Sequence, residues 1–88
     1  MSRFELVRSV TFDKHLRKLD RQIQRRVIVA LLELIELPDP TERLKPLQHS
    51  RVGLWRLRVG DYRAIVSVQN SELIVMAVDV GHRSSIYD

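Results

Sequence analysis

The sequence contains no cysteine, which excludes disulfides and thiolate metal sites together. No apolar run approaches the length that crosses a bilayer. A glycine-rich phosphate loop is missing too, since Gly53, Gly60 and Gly81 stand far apart. The paired carboxylates of a glycosidase or a two-metal centre are hard to find: Glu33 and Glu36 fall on a predicted helix and Asp61 in a predicted turn. His15 and His49 have no partners at metal-ligand spacing and read as incidental, so no metal and no cofactor is expected. There is no internal repeat, low-complexity tract or linker. At 88 residues there is room for one domain, 1–88, with one modest core. Its folding free energy must come from packing and hydrogen bonds, and a domain this small gains from a partner that covers apolar surface.

What is present is a balanced, basic chain. Hydrophobic residues make up 44% and charged residues 30%, the proportions of a globular protein rather than a disordered one. Met1 to Glu5 carries a charge of each sign and lacks the apolar stretch of a signal peptide, so the expected location is the cytoplasm, away from membranes. Lys and Arg total 15 against 11 acidic residues, for a net charge of +4. Arginine dominates the cations. Guanidinium matches phosphate oxygens in a bidentate fork, so the composition fits a nucleic-acid ligand. A net charge of this size also serves solubility alone, and the positions of the cations matter more than their total.

Arg3 to Arg8 alternates around Phe4 and Leu6 and predicts a short strand. Thr11 and Asp20 are candidate helix caps. Phe12, Leu16 and Leu19 recur at helical spacing. From Arg21 to Leu37, Ile23, Val27, Ala30, Leu31, Leu34 and Ile35 form an apolar stripe, ended by Pro38 and Pro40. Asp39 to Gly53 loses its period and predicts an irregular connector. Leu54 to Val59 alternates, Gly60-Asp61 supplies a tight turn, and Tyr62 to Val68 returns as a hairpin strand. Glu72 to Val80 is an apolar run expected as a central strand covered on both faces, broken at Gly81. The predicted class is α+β: an N-terminal strand and a two-helix hairpin packed on a mostly antiparallel four-stranded sheet.

The chemistry points to the β third. Arg56 and Arg58 share one face of a strand, Arg63 follows the turn, His82 and Arg83 come just after the last strand, and Tyr87 is penultimate. Gathered on one concave face, they could cleave RNA without a metal. Imidazole can move protons near neutral pH, arginines can hold the phosphate, and a phenol can stack on a base or act as a weak acid. Each residue also has a plain structural reading. Alternate arginines are the usual solvated face of a strand, a lone histidine at a strand end is often a surface or capping group, and Trp55 and a terminal tyrosine often just pack their rings.

Two segments resemble the RelE/ParE toxin superfamily. Leu54-Trp55-Arg56-Leu57-Arg58-Val59-Gly60-Asp61-Tyr62-Arg63 is similar to its basic hairpin ending in G-D-Y-R, and Val80-Gly81-His82-Arg83-Ser84-Ser85-Ile86-Tyr87 to its C-terminal V-G-H-R-x-x-I/V-Y signature. Lys18-Leu19-Asp20 resembles the turn between its paired helices, and Leu44-Lys45-Pro46-Leu47 its connector. Leu54 departs from members that are basic there, and His82 stands where some members carry lysine. The resemblance implies a RelE-like fold and a toxin of a type II toxin–antitoxin system, with a cognate RelB-like antitoxin that wraps it into a hetero-oligomer. It implies a ribosome-dependent, metal-independent mRNA endoribonuclease that inhibits translation. Arg63, His82, Arg83 and Tyr87 would be catalytic, with Lys45, Arg56 and Arg58 holding RNA. Two further readings stand on the same fold: a ParE-like DNA gyrase inhibitor without nuclease activity, and a member that only binds its antitoxin and regulates its operon.

Overall fold

A computed structural model describes residues 3–47 and 53–85. Strand β1 (Glu5–Arg8) leads into helix α1 (Val10–Leu16), then helix α2 (Arg21–Ile35). A 3-10 turn, Pro40–Arg43, precedes β2 (Lys45–Pro46). Strands β3 (Leu54–Val59), β4 (Tyr62–Gln69) and β5 (Ile74–His82) complete the described elements. The sheet order is β1-β5-β4-β3-β2, with β1 parallel to β5 and every other pair antiparallel. The sheet therefore has five strands rather than four. The additional one is a two-residue edge pairing inside the connector, too short to show a period. Proline tolerates such an edge position, where no ladder N–H is required.

Local chemistry explains the boundaries. Ser9, not Thr11, caps α1: its hydroxyl accepts from the Phe12 N–H at 3.0 Å and donates to the Val78 carbonyl at 2.8 Å. Asp20 holds the cap position of α2 but makes no side-chain bond there. Helix α2 stops at Ile35, short of Leu37, because Pro38 disfavours helical dihedrals in the residue before it. The stripe read from the sequence faces the sheet. Val27, Leu31, Leu34 and Ile35 are buried with Phe12 and Leu16 of α1 against Leu57, Ala64, Val66, Val75, Ala77 and Val80. Each larger apolar side chain buried this way contributes roughly 1.5–3 kcal/mol.

Strand β5 corrects the expectation in two ways. It begins at Ile74, because Asn70 to Leu73 forms the turn and Leu73 adopts a left-handed φ of 55°. It also continues through Gly81, which pairs with Arg63, to His82, which pairs with Tyr62. The helices cover only one face: Val75 and Ala77 are buried, whereas Ile74, Met76 and Val78 are half-buried.

A β-bulge decides which side chains near the end of β5 share a face. Val66 pairs with Ala77, but Ile65 pairs with Asp79, so Val78 is one residue extra. The inward-facing residues of β5 are Val75 and Ala77 before the bulge, and Val80 with its register neighbour His82 after it. The bulge switches the alternation by one.

Candidate nucleic-acid interface

On the face away from the helices, Lys45 of β2 lies opposite Arg56 of β3, and Arg58 of β3 lies opposite Arg63 of β4. Arg43, from the 3-10 turn, joins them. These five side chains line one concavity of about 110 Å³, and every lining residue is a cation. Like charges directly opposite each other on a sheet are destabilising. Here two such pairs are adjacent, an arrangement that a bound polyanion would relieve. The Arg58 guanidinium Nε donates weakly to the Gly60 carbonyl, at 3.4 Å, which holds that side chain near the turn. Lys45, Arg56, Arg58 and Arg63 are thus brought together as the sequence suggests. Arg43 is an addition, because nothing in the aperiodic connector signals which way a 3-10 turn projects its side chains.

His82 lies on the other side of the sheet. It pairs with Tyr62, which shares a face with the buried Ala64 and Val66, and the two rings meet edge to face with centroids 5.2 Å apart. The expectation of one pocket for the arginines and the imidazole fails at this residue for a definite reason. Counted from Val75 and Ala77 without the bulge, His82 would fall on the outer face beside Arg63. His82 Nδ1 accepts the Ser84 backbone N–H at 3.2 Å and lies 2.8 Å from the Ser84 hydroxyl, so the neutral ring carries its hydrogen on Nε2.

Arg83 is exposed and does not line the cationic concavity. Its backbone N–H donates to the Asp61 carbonyl at 2.8 Å, extending the β4–β5 ladder, and its register position continues the Gly81–Arg63 side. Tyr87 lies outside the described residues, as does His49.

The helix side has its own concavity, an open groove of about 490 Å³ whose lining includes His15, Lys18, Tyr62, Asp79, His82 and Ser85. His15 Nδ1 lies 2.6 Å from Asp79 Oδ1, which also accepts the Val80 N–H at 2.7 Å. His15 therefore has a structural partner that its sequence context does not show, 64 residues away. Among the described residues, no group of three or more His, Asp or Glu could hold a metal, and no helix is long and apolar enough to cross a membrane.

The profile of a family described as the ParE toxin of type II toxin–antitoxin system, parDE, matches residues 6–87. No curated protein matches. Among solved structures, the chain is similar to one in the toxin–antitoxin complex RelBE2 from Mycobacterium tuberculosis, with 26% identity, 97% of each chain covered and a TM-score of 0.81. It is similar in fold to one in the archaeal RelE–RelB complex from Pyrococcus horikoshii OT3, at 23% identity, covering 96% of this chain and 99% of that one with a TM-score of 0.74. It also matches the fold of the isolated E. coli RelE toxin, at 21% identity, covering 90% and 83%, again with a TM-score of 0.74.

Proposed function

The chain belongs to the ParE toxin family of type II toxin–antitoxin systems, and we propose that it is a RelE-like endoribonuclease that cuts mRNA on the ribosome. The observation that carries this reading is the all-cation concavity of Arg43, Lys45, Arg56, Arg58 and Arg63. A surface of that composition suits the closely spaced phosphates of a single RNA strand.

The chemistry is an internal displacement. The 2′-oxygen attacks the adjacent phosphorus and loses its proton. The P–O5′ bond breaks and the 5′-oxygen takes up a proton, leaving a cyclic phosphate and a 5′-hydroxyl. Arg63 and Arg83 hold the scissile phosphate and stabilise the charge that builds on it. Lys45, Arg56, Arg58 and Arg43 fix the flanking backbone. Guanidinium groups stay protonated and cannot serve as a base near neutral pH. Tyr87 is the candidate to stack on a base or assist the proton transfers. His82, on the opposite face with Tyr62, takes no part at the cations in this reading. A site built mainly of fixed cations supplies charge stabilisation but little in-line positioning, which gives the ribosome a role as the scaffold that aligns the message.

A RelB-like antitoxin is the expected partner, as in the complexes from Mycobacterium tuberculosis and Pyrococcus horikoshii. An acidic segment that folds on contact would neutralise the concavity and cover apolar surface together.

The test is to induce the protein, map the 5′ ends of cellular mRNA, and assay gyrase supercoiling in the same extract. New 5′ ends at ribosomal A sites with supercoiling intact are expected. Uncut mRNA with inhibited supercoiling would replace this reading with gyrase inhibition, which the ParE description of the family keeps as the alternative.

A further inference from the structure

The groove on the helix side has features that a structural staple does not need. We propose that it is a second nucleotide site, taking one base of the RNA whose phosphates lie on the cationic face. The proposal rests on the nuclease reading for its ligand.

The groove is lined by Tyr62 and His82 from the sheet and by His15 and Lys18 from the helical side, with Leu19 and Val80 among its apolar residues. At about 490 Å³ the groove falls within the roughly 300–1,000 Å³ typical of small-ligand sites. Tyr62 and His82 meet at 89°, so a base can stack on one ring while touching the edge of the other. Lys18 is exposed and brings a cation to the mouth, where a phosphate would sit. His15 supplies direction: with Nδ1 donating to Asp79 Oδ1, Nε2 of the neutral ring is an acceptor. That nitrogen can accept from a base N–H or a ribose hydroxyl. Asp79 Oδ1 is held by His15 and the Val80 N–H, which fixes the carboxylate at the wall of the groove.

Register links the two faces. The Tyr62–His82 pair lies one residue beyond the Arg63–Gly81 pair on the same two strands, facing the opposite way. The separation along the strand is about 3.3 Å. Strand β1 pairs with β5 only from Ile74 to Ala77, and beyond it Ser9 and α1 take over that edge, through Ser9 to the Val78 carbonyl and His15 to Asp79, so the groove opens at the His82 end of β5. An RNA strand leaving the cations past Arg83 can turn around this end and place its next base between Tyr62 and Lys18.

The test uses the full chain with labelled histidines, titrated with uridine 5′-monophosphate, uridine and inorganic phosphate. The His15 and His82 ring resonances are expected to shift with the nucleotide, less with the nucleoside, and little with phosphate. Tyr62→Leu should weaken nucleotide binding about tenfold. Lys18→Ser, at an exposed position that leaves the fold intact, should weaken it about threefold. Equal shifts with phosphate alone would mean a simple anion site and overturn the proposal, as would ring resonances that stay fixed. An uncleavable 2′-O-methyl hexanucleotide separates the two readings. If it still binds, and Arg56→Ala weakens it, while the groove stays silent, only the groove proposal fails. If it binds neither face, the groove proposal fails, and the mapping of mRNA 5′ ends on ribosomes decides the nuclease reading separately.

Discussion

The two faces of the β3–β4–β5 sheet use the same strands for opposite purposes. One face buries Leu57, Ala64, Val66, Val75 and Ala77 under the helices, where apolar packing supplies stability. The other aligns Lys45 with Arg56 and Arg58 with Arg63, where like charges oppose folding and suit an anionic ligand. Stability and binding are separated by the width of one pleat. Tyr62 and Arg63 are neighbours in sequence, yet each belongs to a different face, a different concavity and a different proposed task.

Removing a buried ring from the helix-covered face should have the largest effect. Phe12 is fully buried, and Phe12→Ala should lower stability by about 3–5 kcal/mol. Against a total of roughly 5–15 kcal/mol, that takes a large share of the folded state. Denaturant unfolding measures it directly. A loss below about 1 kcal/mol would mean that α1 is not part of the core on which both concavities rest.

Next comes the cationic face. Arg63→Ala should slow mRNA cleavage on ribosomes by about 100-fold, the loss expected from removing one fixed charge beside a developing anion. The melting temperature should stay within a few degrees, because deleting one of two opposed arginines also relieves repulsion. Primer-extension rates and a thermal melt of the same preparation separate the two effects. If cleavage falls only in step with stability, the division of labour between the faces disappears. Ser9→Ala makes the reverse comparison from the helix side. It deletes the cap bond to Phe12 and the bond to the Val78 carbonyl, at about 1 kcal/mol. The melting temperature should fall by about 4–8 °C, while cleavage per folded molecule stays unchanged.

How far the sequence reaches depends on the kind of periodicity each feature has. The stripe on α2 is legible because successive turns of helix repeat the same spacing, and the hairpin because Gly60-Asp61 separates two alternating runs. Positive φ at Gly60 with Asp61 beside it fits the type of tight turn that needs glycine first. The gathering of Lys45, Arg56, Arg58 and Arg63 comes from that hairpin and from the family resemblance. His82 escapes both, because one extra residue at Val78 reverses every later assignment to a face, and bulges carry no reliable sequence mark. Arg43 and the two-residue strand at Lys45–Pro46 are hidden for another reason: both lie in a connector whose conformation is set by long-range pairing. The link between His15 and Asp79 spans the chain and exists only after the sheet has formed.

The smallest effect tests whether the two faces communicate. Arg26 of α2 reaches over the β3–β4 turn, and a Cβ built on Gly60 would lie 3.1 Å from its terminal nitrogen. Gly60→Ala therefore meets two penalties. A left-handed φ of 60° costs an alanine about 1 kcal/mol whatever its neighbours do. The contact adds less, since it is only a few tenths of an ångström too close and involves the mobile end of a long side chain. A double-mutant cycle with Arg26→Ala isolates that second part, because the backbone strain appears in both Gly60→Ala proteins and cancels. The expected coupling is about 0.5 kcal/mol, near the lower limit for residues in contact. Zero coupling would leave the hairpin that carries Arg58 and Arg63 independent of the helix above it. A value well above about 1 kcal/mol would mean that α2 clamps the turn, so that anything pressing on the helices also shifts the arginines.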